Sequence, residues 1–107
     1  MRSAGQIKMG YYATPARVVA MVRALLRFPD EPFSALDPCA GEGLALAQLL
    51  AGTTGLGYGI ELDRDRARAA RARLAHVITG DYRTVRASVA AFSLLWLNPP
   101  YGAPRFA

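Results

Sequence analysis

Residues 33–52 read FSALDPCAGEGLALAQLLAG, and this stretch decides the fold. Phe33 to Asp37 is a short apolar run of the kind that forms a buried strand, and Pro38 ends it, since a proline restricts the residue before it. Cys39-Ala40-Gly41-Glu42-Gly43 is then a tight glycine loop. From Leu44 to Ala51 the residues are strong helix formers, and Gly52 suits a C-cap. Strand, glycine loop and helix in direct succession make one β-α unit.

Working outward, the same unit recurs. Upstream, Thr14-Pro15 reads as an N-cap followed by a proline in the first turn, with Val18, Val19, Val22, Leu25 and Leu26 at helical spacing and an end expected before Pro29. Downstream, the connector GTTGLG leads to a second strand at about Tyr58 to Leu62, and Asp63 is placed to cap the helix after it. HVIT at 76–79 is a third short strand, punctuated by Gly80-Asp81-Tyr82. A weak helix is expected over Thr84 to Ala90, and Phe92 to Leu97 is the fourth strand. Alternating strands and helices argue for a parallel sheet covered on both faces.

At 107 residues the chain is one domain at most, long enough to bury roughly two thirds of its unfolded surface without disulfide staples. Its hydrophobic content of 52% supports a packed core. No apolar run approaches the roughly 20 residues of a membrane span, and no signal-peptide pattern follows Met1-Arg2-Ser3, so a cytoplasmic protein without a membrane partner is expected. Cys39 is the only cysteine, which excludes an internal disulfide and leaves no cluster for a structural metal. The net charge of +5 favours a polyanionic partner. Much of it is local: Arg64, Arg66, Arg68, Arg71 and Arg73 fall in one segment, where Ala67, Ala70 and Leu74 take the core-facing positions and the arginines read as a solvated face. His76 starts a strand and reads as structural.

In parallel sheets ligands bind beyond the carboxyl ends of the strands, so chemistry is sought there. After the first strand, Gly41-Glu42-Gly43 lets backbone approach a ligand closely, although Leu46 holds the place where a dinucleotide fingerprint needs its third glycine. After the second, Glu61 follows Gly43 by 18 residues, near the roughly 20-residue interval at which an acid meets ribose hydroxyls. The alternative is a surface acid paired with neighbouring arginines. After the third, Asp81 could accept from the amine of a nucleobase with Tyr82 packed on its ring, or could simply shape a turn.

After the fourth comes Asn98-Pro99-Pro100-Tyr101. The Asn98 side-chain oxygen and the Pro99 carbonyl are two acceptors for the hydrogens of a planar NH2 group, whose delocalised lone pair makes it a poor nucleophile. Gripping both hydrogens stabilises charge as the nitrogen pyramidalises. Tyr101 offers a stacking face worth about 1–3 kcal/mol to a base. A Pro-Pro turn that merely ends a strand is the alternative.

Taken together, these residues resemble the S-adenosylmethionine-dependent methyltransferases that modify exocyclic amines, especially the DNA adenine methyltransferases of restriction-modification type. Asp37-Pro38-Cys39-Ala40-Gly41-Glu42-Gly43 is similar to the family's cofactor loop and Asn98-Pro99-Pro100-Tyr101 to its catalytic tetrad. The resemblance covers roughly Gly10 to Gly102. It implies the amino-terminal half of a Rossmann-like fold: one partial domain over 1–107, with a cofactor segment and helix over 1–30, a β-α core over 33–102, and about four parallel strands in the order 3-2-1-4.

It further implies S-adenosylmethionine as cofactor, held by Tyr12, Thr14, Asp37, Pro38, Ala40, Gly41, Gly43, Glu61, Leu62, Asp81 and Tyr82, with DNA or RNA as substrate. Asn98 and Pro99 would orient the amine of an adenine flipped from its stack, and Tyr101 would stack on it. Chains of this family continue past the tetrad, which implies a fragment, or a subunit whose partner completes the sheet. Two other readings remain: a non-catalytic remnant that binds the cofactor, and a glutamine methyltransferase acting on release factor, whose amide poses the same NH2 problem.

Overall fold

The computed structural model describes residues 13–88 and 90–99. The chain runs through α1 (Ala16–Ala24), β1 (Phe33–Asp37), α2 (Leu44–Leu50), β2 (Gly55–Glu61), α3 (Arg64–Arg71), β3 (His76–Thr79), a 3-10 turn (Tyr82–Thr84) and β4 (Leu94–Leu95). The strands form one sheet in the order β3-β2-β1-β4, as the resemblance implies, with every pairing parallel, as the alternation of strands and helices implies.

Side chains alternate across a strand, and the register assigns them to faces. Phe33 pairs with Gly55, Ala35 with Gly57 and with Leu94, and Asp37 with Gly59, so these share one face. That face carries the core. Leu46, Leu49 and Leu50 of α2 and Ala70 and Leu74 of the α3 region pack there, and the fully buried Val19 of α1 joins the same cluster. α1 docks on α2 through polar ends as well: Arg23 Nη1 donates to the Gln48 carbonyl at 3.0 Å, and Gln48 Nε2 to that of Ala16 at 2.9 Å.

The opposite face holds Leu36, Leu56, Tyr58, Ile60, Ile78 and Leu95. Leu56, Ile78 and Leu95 are each about half exposed. Helices expected on both faces therefore lie, among the described residues, over one. The reason is the β3–β4 connection: it makes one 3-10 turn at Tyr82–Thr84, and among the described residues no helix follows over the expected Thr84 to Ala90, the β-branched Val85 being extended. His76 stacks on Tyr58 at 5.0 Å, and Phe92 meets that ring edge-on at 5.3 Å.

Two further expectations shift. The fourth strand is shorter than Phe92 to Leu97, because its last rung, Trp96 N–H to the Leu36 carbonyl at 2.9 Å, meets the end of β1, where Pro38 has no N–H to continue the ladder. The first helix ends at Ala24, which leaves Leu25 in solvent rather than in the core.

Candidate functional site

β1 and β2 end in acids whose side chains lie on the helix-covered face. Asp37 is 3% exposed and Glu61 5%. The loop after β1 folds back over β2, with the Ala40 N–H donating to the Ile60 carbonyl at 2.9 Å. Pro38 is half-buried and Ala40 buried beneath this loop. Gly43 has a φ of +82° and caps α2; a side chain there would meet the Ala70 backbone at 3.1 Å, so the turn needs glycine twice over.

Glu61 ties this cradle together. Its Oε1 accepts from the Gly41 N–H at 2.7 Å, while Oε2 accepts from the Asp63 N–H at 2.9 Å and from Arg66 Nε at 3.2 Å. Arg66 Nη2 completes a buried ion pair at 3.2 Å. Oε2 is saturated, whereas among the described residues Oε1 accepts one hydrogen bond and retains a second acceptor position. Arg66 is the structural residue that the sequence reading missed, since it was grouped with the solvated arginines. Its signal is positional: it lies three residues after Asp63, whose carboxylate accepts the Arg66 N–H at 2.9 Å, and one turn of helix returns it to Glu61.

Asp37 is the opposite case. Its Oδ1 accepts from the Cys39 N–H at 3.0 Å, and among the described residues Oδ2 has no partner. Burial pushes its carboxyl up to about 7; the Cys39 hydrogen bond pulls down, and the charge on Glu61 adds to the rise. Burial, then the charges of Asp37, Glu61 and Asp81, raise the Cys39 thiol to about 11, so it stays protonated.

The other two strand ends are more open. Gly80 N–H donates to the Glu61 carbonyl at 2.9 Å, which sets the β3 exit beside β2. Asp81 is engaged by its neighbour: the Arg83 N–H and guanidinium all donate to it, the shortest contact being 2.6 Å, and they hold its carboxyl down at about 2. Leu62 and Tyr82 are exposed near it.

Asn98 leaves β4 next to the β1 exit and donates from Nδ2 to the Thr14 hydroxyl at 2.8 Å. Thr14 is thus not the N-cap it was expected to be: α1 starts at Ala16 behind Pro15, without a side-chain cap. Pro99 follows, half-buried. The expectations for Tyr12, Pro100 and Tyr101 lie outside the described residues. The structure therefore gathers Asp37, Pro38, Ala40, Gly41, Gly43 and Glu61 into one cradle and links Thr14 to Asn98 at its side.

A family model matches residues 1–104, and the chain belongs to that family, the uncharacterised methyltransferase family DUF6094. The search of curated proteins found no match. Among solved structures, the chain is similar to an RNA methyltransferase from Salinibacter ruber in complex with S-adenosyl-L-homocysteine, at 22% identity and a TM-score of 0.64 over 82% of this chain and 62% of that one. A candidate RNA methyltransferase from Pyrococcus horikoshii gives 18% and 0.69 over 91% and 52%. A SAM-dependent methyltransferase from Thiobacillus denitrificans, also with S-adenosyl-L-homocysteine, gives 21% and 0.60 over 81% and 40%. At these identities the likeness is one of fold, and the chain spans less than two thirds of each of these structures.

Proposed function

We propose that this chain carries the cofactor cradle and the catalytic amide of an S-adenosylmethionine-dependent methyltransferase acting on the exocyclic amine of adenine in DNA. The observation that carries the reading is the β1–β4 pairing, Leu36 opposite Leu95, which brings Asn98 out of the sheet beside the Asp37 loop. A cofactor site and an amine-binding amide at adjacent strand ends are what transfer between two bound molecules requires.

The residues of the cradle fit the cofactor. Asp37 is a buried carboxylate without a cationic partner among the described residues, and a ligand bearing positive charge would offset its burial. The open acceptor direction on Glu61 Oε1 suits a ribose hydroxyl, and Gly41 and Gly43 leave room for the chain between. Leu62 and Tyr82 would flank the adenine ring, with Asp81 near its amine. When bound, S-adenosylmethionine supplies a methyl group on positively charged sulfur.

Asn98 Oδ1 and the Pro99 carbonyl hold the two hydrogens of the target amine and turn its lone pair toward the cradle. They stabilise the charge that grows on nitrogen, and the surplus proton leaves to solvent after the N–C bond has formed. Tyr101 is assigned to stack on the target base.

RNA is the second reading, favoured by the names of two of the structural neighbours. Incorporation of labelled methyl into DNA, RNA and a glutamine-bearing release-factor peptide separates the substrates. Asn98→Ala is expected to lower the rate at least about 100-fold while cofactor binding persists. Undiminished transfer in that variant would remove Asn98 from the mechanism; labelling of RNA alone or of the peptide alone would replace the substrate.

A further inference from the structure

Asn98 is the only asparagine in the chain, and its amide has two faces of opposite character. The role proposed above needs Oδ1 toward the substrate amine. Rotated by half a turn, the same side chain presents N–H donors to an N–H donor and repels it. Something must choose between the two orientations, and the fold supplies a candidate: Nδ2 donates to the Thr14 hydroxyl at 2.8 Å across 84 residues of sequence, with both residues half-buried.

Local sequence leaves that hydroxyl available. A threonine just before a helix ordinarily accepts from an N–H of the first turn. Here Pro15 follows Thr14, the helix starts a residue later, and the Val18 and Val19 N–H groups both donate to the Pro15 carbonyl, at 3.0 and 3.2 Å. The Thr14 oxygen therefore turns to the β4 exit instead of capping α1.

We propose that Thr14 is a positioning residue for methyl transfer, whose hydroxyl accepts from Asn98 Nδ2 and so fixes Oδ1 as the face shown to the substrate amine. The inference rests on the functional reading above and departs from Thr14 as a direct holder of the cofactor.

Two readouts test it separately. Labelling the protein with ¹⁵N-asparagine gives a single side-chain NH2 pair, that of Asn98. In Thr14→Val, which keeps the shape and loses the hydroxyl, this pair is expected to shift and to exchange faster with solvent, while Thr14→Ser keeps the wild-type signal. In labelled-methyl transfer, Thr14→Val is expected to lower kcat about tenfold, the scale of one hydrogen bond, at unchanged KM for S-adenosylmethionine, with Thr14→Ser restoring it. An unchanged NH2 pair in Thr14→Val overturns the proposal, as does a raised KM with kcat intact, which would return Thr14 to the cofactor. Wild-type protein that labels neither DNA, RNA nor peptide overturns the functional reading instead, and the NMR comparison then decides the Thr14–Asn98 link by itself.

Discussion

The exits of β2 and β3 each place an acid ahead of an arginine, and the two pairs behave as different materials. Glu61 and Arg66 are both under 10% exposed as side chains, whereas Arg83 of the Asp81 pair is 75% exposed. The sequence around each is similar, an acid followed within five residues by a base. The difference lies in what comes next. After Glu61 the chain enters α3, whose Ala67 and Ala70 pack flat on the sheet and carry Arg66 down with them. After Asp81 it enters one 3-10 turn in which no residue is buried, so acid and base meet in solvent. Burial, not the identity of the pair, decides which carboxylate belongs to the architecture.

The sharpest way to break this contrast is Arg66→Leu. Removing one member of a buried pair strands the other charge, so a loss of about 3–5 kcal/mol in urea unfolding is expected. A loss under about 1 kcal/mol would mean that Glu61 relaxes to water and that the pair is no more structural than its exposed counterpart. Asp37→Asn comes next. Its folded pKa is raised to about 7 against roughly 3.9 in the unfolded chain, so the folded state holds the extra proton between these values. Wild-type stability should therefore fall as pH rises from about 4 to 7 and flatten above. Asp37→Asn should remove that slope and gain about 1–3 kcal/mol at pH 8, and parallel pH profiles for the two proteins would refute the assignment. Arg83→Ala stands at the small end: no measurable change in unfolding midpoint is expected, since solvent and salt already screen that pair. A drop approaching that of Arg66→Leu would erase the distinction between the two exits.

The parts of the molecule that were readable from sequence are those where local chemistry and tertiary packing agree. The β1–loop–α2 unit is one, since Pro38, Gly43 and Gly52 punctuate it at the positions where the backbone turns. The strand order was implied by resemblance rather than by pattern. What escaped depended on distant contacts. Thr14 looks like a cap because caps are local, yet its hydroxyl is claimed by Asn98 from the far end of the chain. Arg66 looks like its four neighbouring arginines because helical spacing distinguishes apolar from polar positions, not a polar position that reaches back to a strand end. Over Thr84 to Ala90 none of the described residues is buried, so a weak helical pattern is not reinforced there, and β4 stops where β1 runs out of donors.

One absence of atoms has wide effect. A methyl group at Gly59 would lie 2.8 Å from the Ala40 Cβ and 3.0 Å from Leu74, so this bare position lets the loop after β1 settle onto the sheet, low enough for the Gly41 N–H to reach Glu61. Any larger residue at 59 must raise the loop, part that hydrogen bond and spread the helix layer in one step. A single position thus sets both the height of the loop and the spacing of the layer above it.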